Sequence, residues 1–138
     1  MIISDLFGYI DSVKPNNFDN GVLIRWLNEI EGRIQTEIYL IDIHEIVQYE
    51  WDESWSGTRK AEELAKELLV TAPYDNIYTT YLLAEIDNAN GEYNRYANTK
   101  AQFDKVFGEY SRYIAQHYAP GNRHLNNRIK GREAWVDT

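Results

Sequence analysis

Apolar residues recur along the chain at helical intervals, in blocks separated by Lys14-Pro15, Ala72-Pro73 and Ala119-Pro120. Proline lacks an N–H and does least harm at such seams. In the first block Leu6, Phe7, Ile10 and Val13 share one face. They predict a short amphipathic helix over Ile3 to Val13. Asn16-Asn17-Phe18-Asp19-Asn20 then supplies turn chemistry, with an N-cap near Asp19. The strongest pattern follows. Leu23, Leu27, Ile30, Ile34, Ile38 and Ile41 are spaced 4, 3, 4, 4 and 3, and Trp26 widens their face. A helix of about five turns is expected, with Gly32 inside it to allow a close backbone approach.

The pattern breaks at Asp42. Between Asp42 and Trp55 lie Asp42, Glu45, Glu50, Asp52 and Glu53 with no Lys or Arg, a charge of −5, together with Trp51 and Trp55. This stretch is expected to form a long, protruding acidic loop. Leu64, Ala65, Leu68 and Leu69 predict a short helix over Arg59 to Leu69. Thr71 can cap the next helix, with Pro73 in its first turn. Tyr74, Tyr78, Leu82, Ile86, Ala89, Tyr93 and Tyr96 keep one phase across Asn90-Gly91, so that helix is expected to run through Gly91. Ala97-Asn98-Thr99 is the next stop, and Thr99-x-x-Gln102 has capping-box spacing for the last helix. Phe103, Val106, Phe107, Tyr110, Tyr113, Ile114 and His117 line it. The sum is an all-α fold, a small bundle of four to five helices over residues 1–119.

Composition sharpens this. With 138 residues the chain fits one domain. The net charge of −8 argues against non-specific nucleic-acid binding and against a polybasic membrane surface. That charge is unevenly placed. Residues 121–138 carry +2, from Arg123, Arg128, Lys130 and Arg132 against Glu133 and Asp137, which leaves −10 for the rest. Residues 120–138 are therefore an extended, basic C-terminal tail whose arginines and Trp135 are the residue types of interface hot spots. The absence of cysteine excludes disulfides, Cys-ligated zinc and thiol catalysis. Met1–Tyr9 has no basic start and no apolar run approaches a membrane span, so a soluble protein that stays where it is made is expected.

Chemistry is sparse. His44, His117 and His124 stand outside any HExxH pattern, and the chain has neither a Gly-rich phosphate loop nor a G-x-S-x-G elbow. Asp42-x-His44-Glu45 is better explained as a solvated turn than as a metal site. Asp87 with Glu92 falls at helical positions compatible with a solvated face, and Gly91 is out of register for an EF-hand. No catalytic, cofactor-binding or metal-binding residue is assigned, and a non-enzymatic protein is expected. The 11 tyrosines suit helix seams and protein interfaces, with Tyr78, Tyr93 and Tyr110 expected at core edges.

Two stretches carry a resemblance. One is Lys14-Pro15-Asn16 followed by Arg25-Trp26-Leu27-Asn28-Glu29-Ile30-Glu31-Gly32-Arg33-Ile34. The other is Ala72-Pro73-Tyr74-Asp75-Asn76-Ile77-Tyr78 with Tyr81-Leu82, Ile86-Asp87-Asn88-Ala89-Asn90-Gly91-Glu92 and Arg95-Tyr96. Together they resemble the head–tail connector, or head-completion adaptor, proteins of tailed phages and prophages of Gram-positive bacteria. The resemblance covers roughly residues 10–35 and 70–118. It departs from the family between Ile43 and Leu69, which is longer and more acidic, and in the tail.

The resemblance implies a virion structural protein, made in the bacterial host cytoplasm, that assembles into a ring of about a dozen copies beneath the portal. Its implied partners are further copies of itself, the portal protein and a downstream head-completion or tail protein. DNA would pass through the ring without specific binding, and neither cofactor nor membrane is involved. Asp42, Glu45, Glu50, Asp52 and Glu53 are then candidates for a channel-facing wall, since carboxylates repel phosphate. Arg123, Arg128, Lys130, Arg132 and Trp135 are candidates for partner binding. The alternative is a small acidic DNA mimic or another protein-binding phage-encoded module.

Overall fold

Five α-helices account for most of the chain, and they agree with the all-α bundle expected from the apolar periodicity. The structure, a computed structural model, describes residues 1–118. Helix α1 spans Ile3–Val13 and buries Ile3, Leu6, Phe7 and Ile10. Helix α2 spans Asn20–Arg33, capped by Asp19, whose carboxylate accepts the Val22 N–H. The extent of α1 and the start of α2 lie where the sequence places them.

The long apolar stripe of α2 is buried throughout, but its helix is not uniform. Ile34–Ile38 forms a π turn, after which Tyr39 caps the element and Leu40 takes a left-handed φ of 58°. Glycine usually occupies that position because a Cβ is strained there. The Ile41 N–H returns to the Gln35 carbonyl at 2.9 Å, so Ile41 reaches the core from beyond the helix end. Gly32 has a different role from the one expected of it. A Cβ there would meet Ile46 Cδ1 at 3.8 Å, an ordinary contact, so no close backbone approach requires glycine.

Helix α3 spans Gly57–Leu64, with Ser56 as its cap. It begins and ends earlier than the expected Arg59–Leu69. The Lys66 carbonyl accepts the Ile3 N–H, and the Leu68 N–H donates to the Met1 carbonyl. Those pairings with the N-terminus, around an isolated antiparallel bridge between Ile2 and Glu67, take the backbone groups a continuing helix would use. Helix α4 spans Asn76–Ala89. Thr71 does not cap it; the Thr71 carbonyl accepts the Tyr74 N–H, closing a turn before the helix begins.

Gly91 breaks the helix that was expected to pass through it. Its φ is +73°, the Gly91 N–H bonds the Asn88 carbonyl, and the Glu92 N–H bonds the Asp87 carbonyl. This is a Schellman termination. Helix α5 then runs from Tyr93 to His117 without stopping at Ala97-Asn98-Thr99. Thr99 is not a cap; its hydroxyl faces back to the Arg95 and Tyr96 carbonyls and to Asp87. The apparent phase across Gly91 rested on Ala89 and Tyr93, both of which are exposed.

Helices α4 and α5 pack along each other as a hairpin, with α1 and α2 against α4 and the π turn against α5. Arg33 ties α2 to α5 by lying over the rings of Phe103 and Phe107, 5.5 and 4.8 Å from their centroids. Lys14 ties α1 to the hairpin turn, donating to Asp87 and Glu92. Among the described residues no helix is long and apolar enough to cross a membrane.

Candidate functional site: a tyrosine cleft and an acidic edge

Beside their apolar face α2 and the π turn that follows it carry a second stripe, Asn28, Glu31 and Gln35. Glu31 and Gln35 are wholly buried. The Asn28 carboxamide accepts the Tyr49 N–H (2.8 Å) and donates to the Tyr49 carbonyl (2.9 Å). Gln35 makes the same pair with Val47, at 2.8 and 2.9 Å. Two side-chain amides thus take the backbone groups of Val47 and Tyr49 and hold residues 47–49 against the helix. Buried backbone groups need such partners.

Between them, Glu31 gathers three segments. Its carboxylate accepts hydrogen bonds from the Tyr78 hydroxyl (2.6 Å), the Tyr49 hydroxyl (2.6 Å) and the Leu69 N–H (3.2 Å). The Tyr78 hydroxyl in turn accepts the Val70 N–H at 2.8 Å. Burial, with the Glu31 charge beside it, raises the Tyr78 phenol well above its ordinary value.

The segments pinned by Glu31 form one wall of an open cleft of about 780 Å³. Tyr39, Tyr49, Tyr74, Tyr110, Tyr113 and Tyr118 line it, with Leu68, Lys66 and Glu67. The ring centroids of Tyr74 lie 5.2 Å from Tyr110 and 5.1 Å from Tyr113, and the Tyr39 and Tyr110 hydroxyls are hydrogen-bonded. Tyr39, Tyr49 and Tyr110 are buried, whereas Tyr74, Tyr113 and Tyr118 are half-buried. Of the tyrosines expected at core edges, Tyr78 is wholly buried, Tyr110 is buried and Tyr93 is exposed.

The acidic stretch is an edge strapped to α2 and α3, not a protruding loop. Tyr49 anchors its middle in the core, and the Glu50 N–H donates to buried Glu63. Asp42 shapes a 3₁₀ turn over Ile43–Glu45 by accepting the His44 N–H, with the His44 ring beside it at 2.9 Å. These two bonds, the backbone one foremost, hold the Asp42 carboxyl below its usual range. Asp52 accepts the N–H and the hydroxyl of Ser54 and is lowered for the same reason. Glu45 is exposed. Glu50 lies 3.8 Å from Arg59, and Glu53 accepts bonds from Trp51 and Lys60 at 2.7 and 3.3 Å. Arg59 also covers the ring of Trp55, 3.9 Å from its centroid. Residues 42–53 are acidic in sequence, yet α3 supplies two cations to them.

Asp87 and Glu92 are brought together, but around Lys14 and not on a solvated face; Asp87 is 2% exposed. His117 is exposed, its ring tilted against that of Tyr113 with centroids 4.3 Å apart. Arg123, Arg128, Lys130, Arg132 and Trp135 lie outside the described residues.

Asn28, Glu31 and Gln35 are not among the residues that the local sequence singles out. Their signal was present as three polar residues spaced 3 and 4 alongside an apolar stripe, a pattern that a solvated helix face shares. No family model matches the chain, and neither a curated protein nor a solved structure matches it.

Proposed function

We propose that this protein is a non-enzymatic structural adaptor that assembles head-to-tail into a ring, as the phage head–tail connectors that it resembles in sequence would lead one to expect. One observation carries the reading. Besides Met1 and Tyr93, the described surface exposes two separate sets of large apolar side chains, on different elements. Tyr9 and Val13, one helical turn apart on α1, are 52% and 51% exposed; Leu40, just past the π turn, and Ile43, at the start of the 3₁₀ turn, are 60% and 67% exposed. A heterologous contact between identical subunits needs two such unlike patches on each copy, and it closes into a ring when the rotation permits.

Leu40 supports the same reading. A bulky residue at φ 58° is strained, and here the strain presents an apolar side chain to solvent. The net negative body suits a ring through which DNA slides, with the acidic edge of Asp42, Glu45, Glu50, Asp52 and Glu53 on its channel wall. Arg59 and Lys60 interrupt that edge. A DNA mimic would need an unbroken run of carboxylates.

Mixing two blocked variants tests the head-to-tail contact. Leu40→Asp with Ile43→Asp should stay monomeric, as should Tyr9→Asp with Val13→Asp, and an equimolar mixture should form dimers that grow no further. Either variant assembling like the unmodified chain would overturn the proposal.

A further inference from the structure

The tyrosine cleft has an occupant close at hand. Tyr118 lines it and is the last described residue, the point at which residues 119–138 are joined to the chain. We infer that residues 119–138 of the same chain dock in this cleft, with Trp135 and the aliphatic side chains before it lying against the exposed faces of Tyr74 and Tyr113.

Three features favour this occupant. The cleft, about 780 Å³, exceeds what a single side chain fills and is walled by aromatic rings. Residues 119–138 bring Leu125, Ile129, Trp135 and Val136, too few bulky apolar residues to build a core of their own. Burial against a ready-made aromatic wall removes them from water at about 25 cal/mol per Å². Tyrosine faces also attract guanidinium groups, and Arg123, Arg128 and Arg132 punctuate the segment.

Connection to Tyr118 decides between this chain and a second copy. A segment covalently joined beside its site meets it at an effective concentration on the order of millimolar, above that of another subunit in dilute solution. The wall needs no rearrangement, because the hydrogen bonds of Glu31 to Tyr49, Tyr78 and Leu69 already hold it. The inference does not depend on the ring.

The chain contains no cysteine, so a single label can be placed cleanly. A spin label on Thr71→Cys, an exposed position of the cleft wall, should broaden the indole N–H signal of Trp135 in the full chain, removing most of its intensity at micromolar concentration. A Trp135→Phe variant assigns that signal. Isotope-labelled unmodified chain mixed with unlabelled spin-labelled chain should keep its Trp135 signal intact. A Trp135 signal unchanged in the labelled chain would overturn the inference. So would equal broadening in the mixture, which would assign the cleft to the tail of a second copy.

Discussion

The Glu31 carboxylate accepts a hydrogen bond from the Tyr78 hydroxyl at 2.6 Å, with both side chains wholly shielded from solvent. That bond joins α2 to α4, and the Val70 N–H completes the Tyr78 hydroxyl. Tyr78→Phe removes a donor from a buried carboxylate and strands a backbone N–H. The expected cost is about 2–3 kcal/mol, read from urea unfolding. The same pair sets a base limb. Because the folded state holds the Tyr78 proton more tightly than the unfolded chain does, its contribution is complete below the unfolded value of 10.0 and falls as pH rises beyond it. Stability should decline above about pH 10 in the unmodified chain and less steeply in Tyr78→Phe.

Lys14 neutralises Asp87 inside the junction of α1 with the α4–α5 turn. Lys14→Ala leaves a buried carboxylate with Thr99 as its remaining side-chain donor. A loss of about 3 kcal/mol is expected, and Lys14→Met combined with Asp87→Asn should recover much of it. Thermal melts of the three proteins check the order.

Two glycines should respond in opposite directions. Gly91→Ala forces a Cβ into a φ of +73° and should cost about 1 kcal/mol. Gly32→Ala lies within α2, where the added methyl meets Ile46 at an ordinary 3.8 Å, and should stabilise by about 0.5–1 kcal/mol. Denaturation midpoints decide both. If Gly91→Ala were neutral, the Schellman turn between α4 and α5 would be wrong.

That pair marks what the residues made legible. The Ile and Leu stripe of α2, the Asp19 cap and the seam at Lys14-Pro15 follow from spacing and capping chemistry, and they hold. The α4–α5 break was hidden because Ala89 and Tyr93 continue a helical phase while standing in solvent. Periodicity records which residues are apolar, and burial is a separate matter. Thr99-x-x-Gln102 has the spacing of a cap, but the Thr99 hydroxyl satisfies carbonyls one turn back instead. The cleft was the least legible feature. Its wall depends on Asn28, Glu31 and Gln35 bonding to residues far along the chain, information that no local window contains.

Glu85 is expected to oppose folding at neutral pH. Burial, then the nearby charge of Glu29, raises its carboxyl above the ordinary 4.5. A raised acid contributes most when protonated, below the unfolded value, and loses that contribution as pH climbs through the folded one. Glu85→Gln should therefore stabilise the protein at pH 7, with an advantage that shrinks toward zero below about pH 4.5. Chemical denaturation at pH 4 and pH 7 measures the difference.

Native mass spectrometry of the purified chain, alone and with the portal protein that the proposed function implies as its partner, tests head-to-tail assembly most directly. The subunit mass is 16.2 kDa, and the account predicts a closed species of about a dozen copies, formed at high concentration or on the portal. A chain that remained monomeric at every concentration and bound no portal would contradict it.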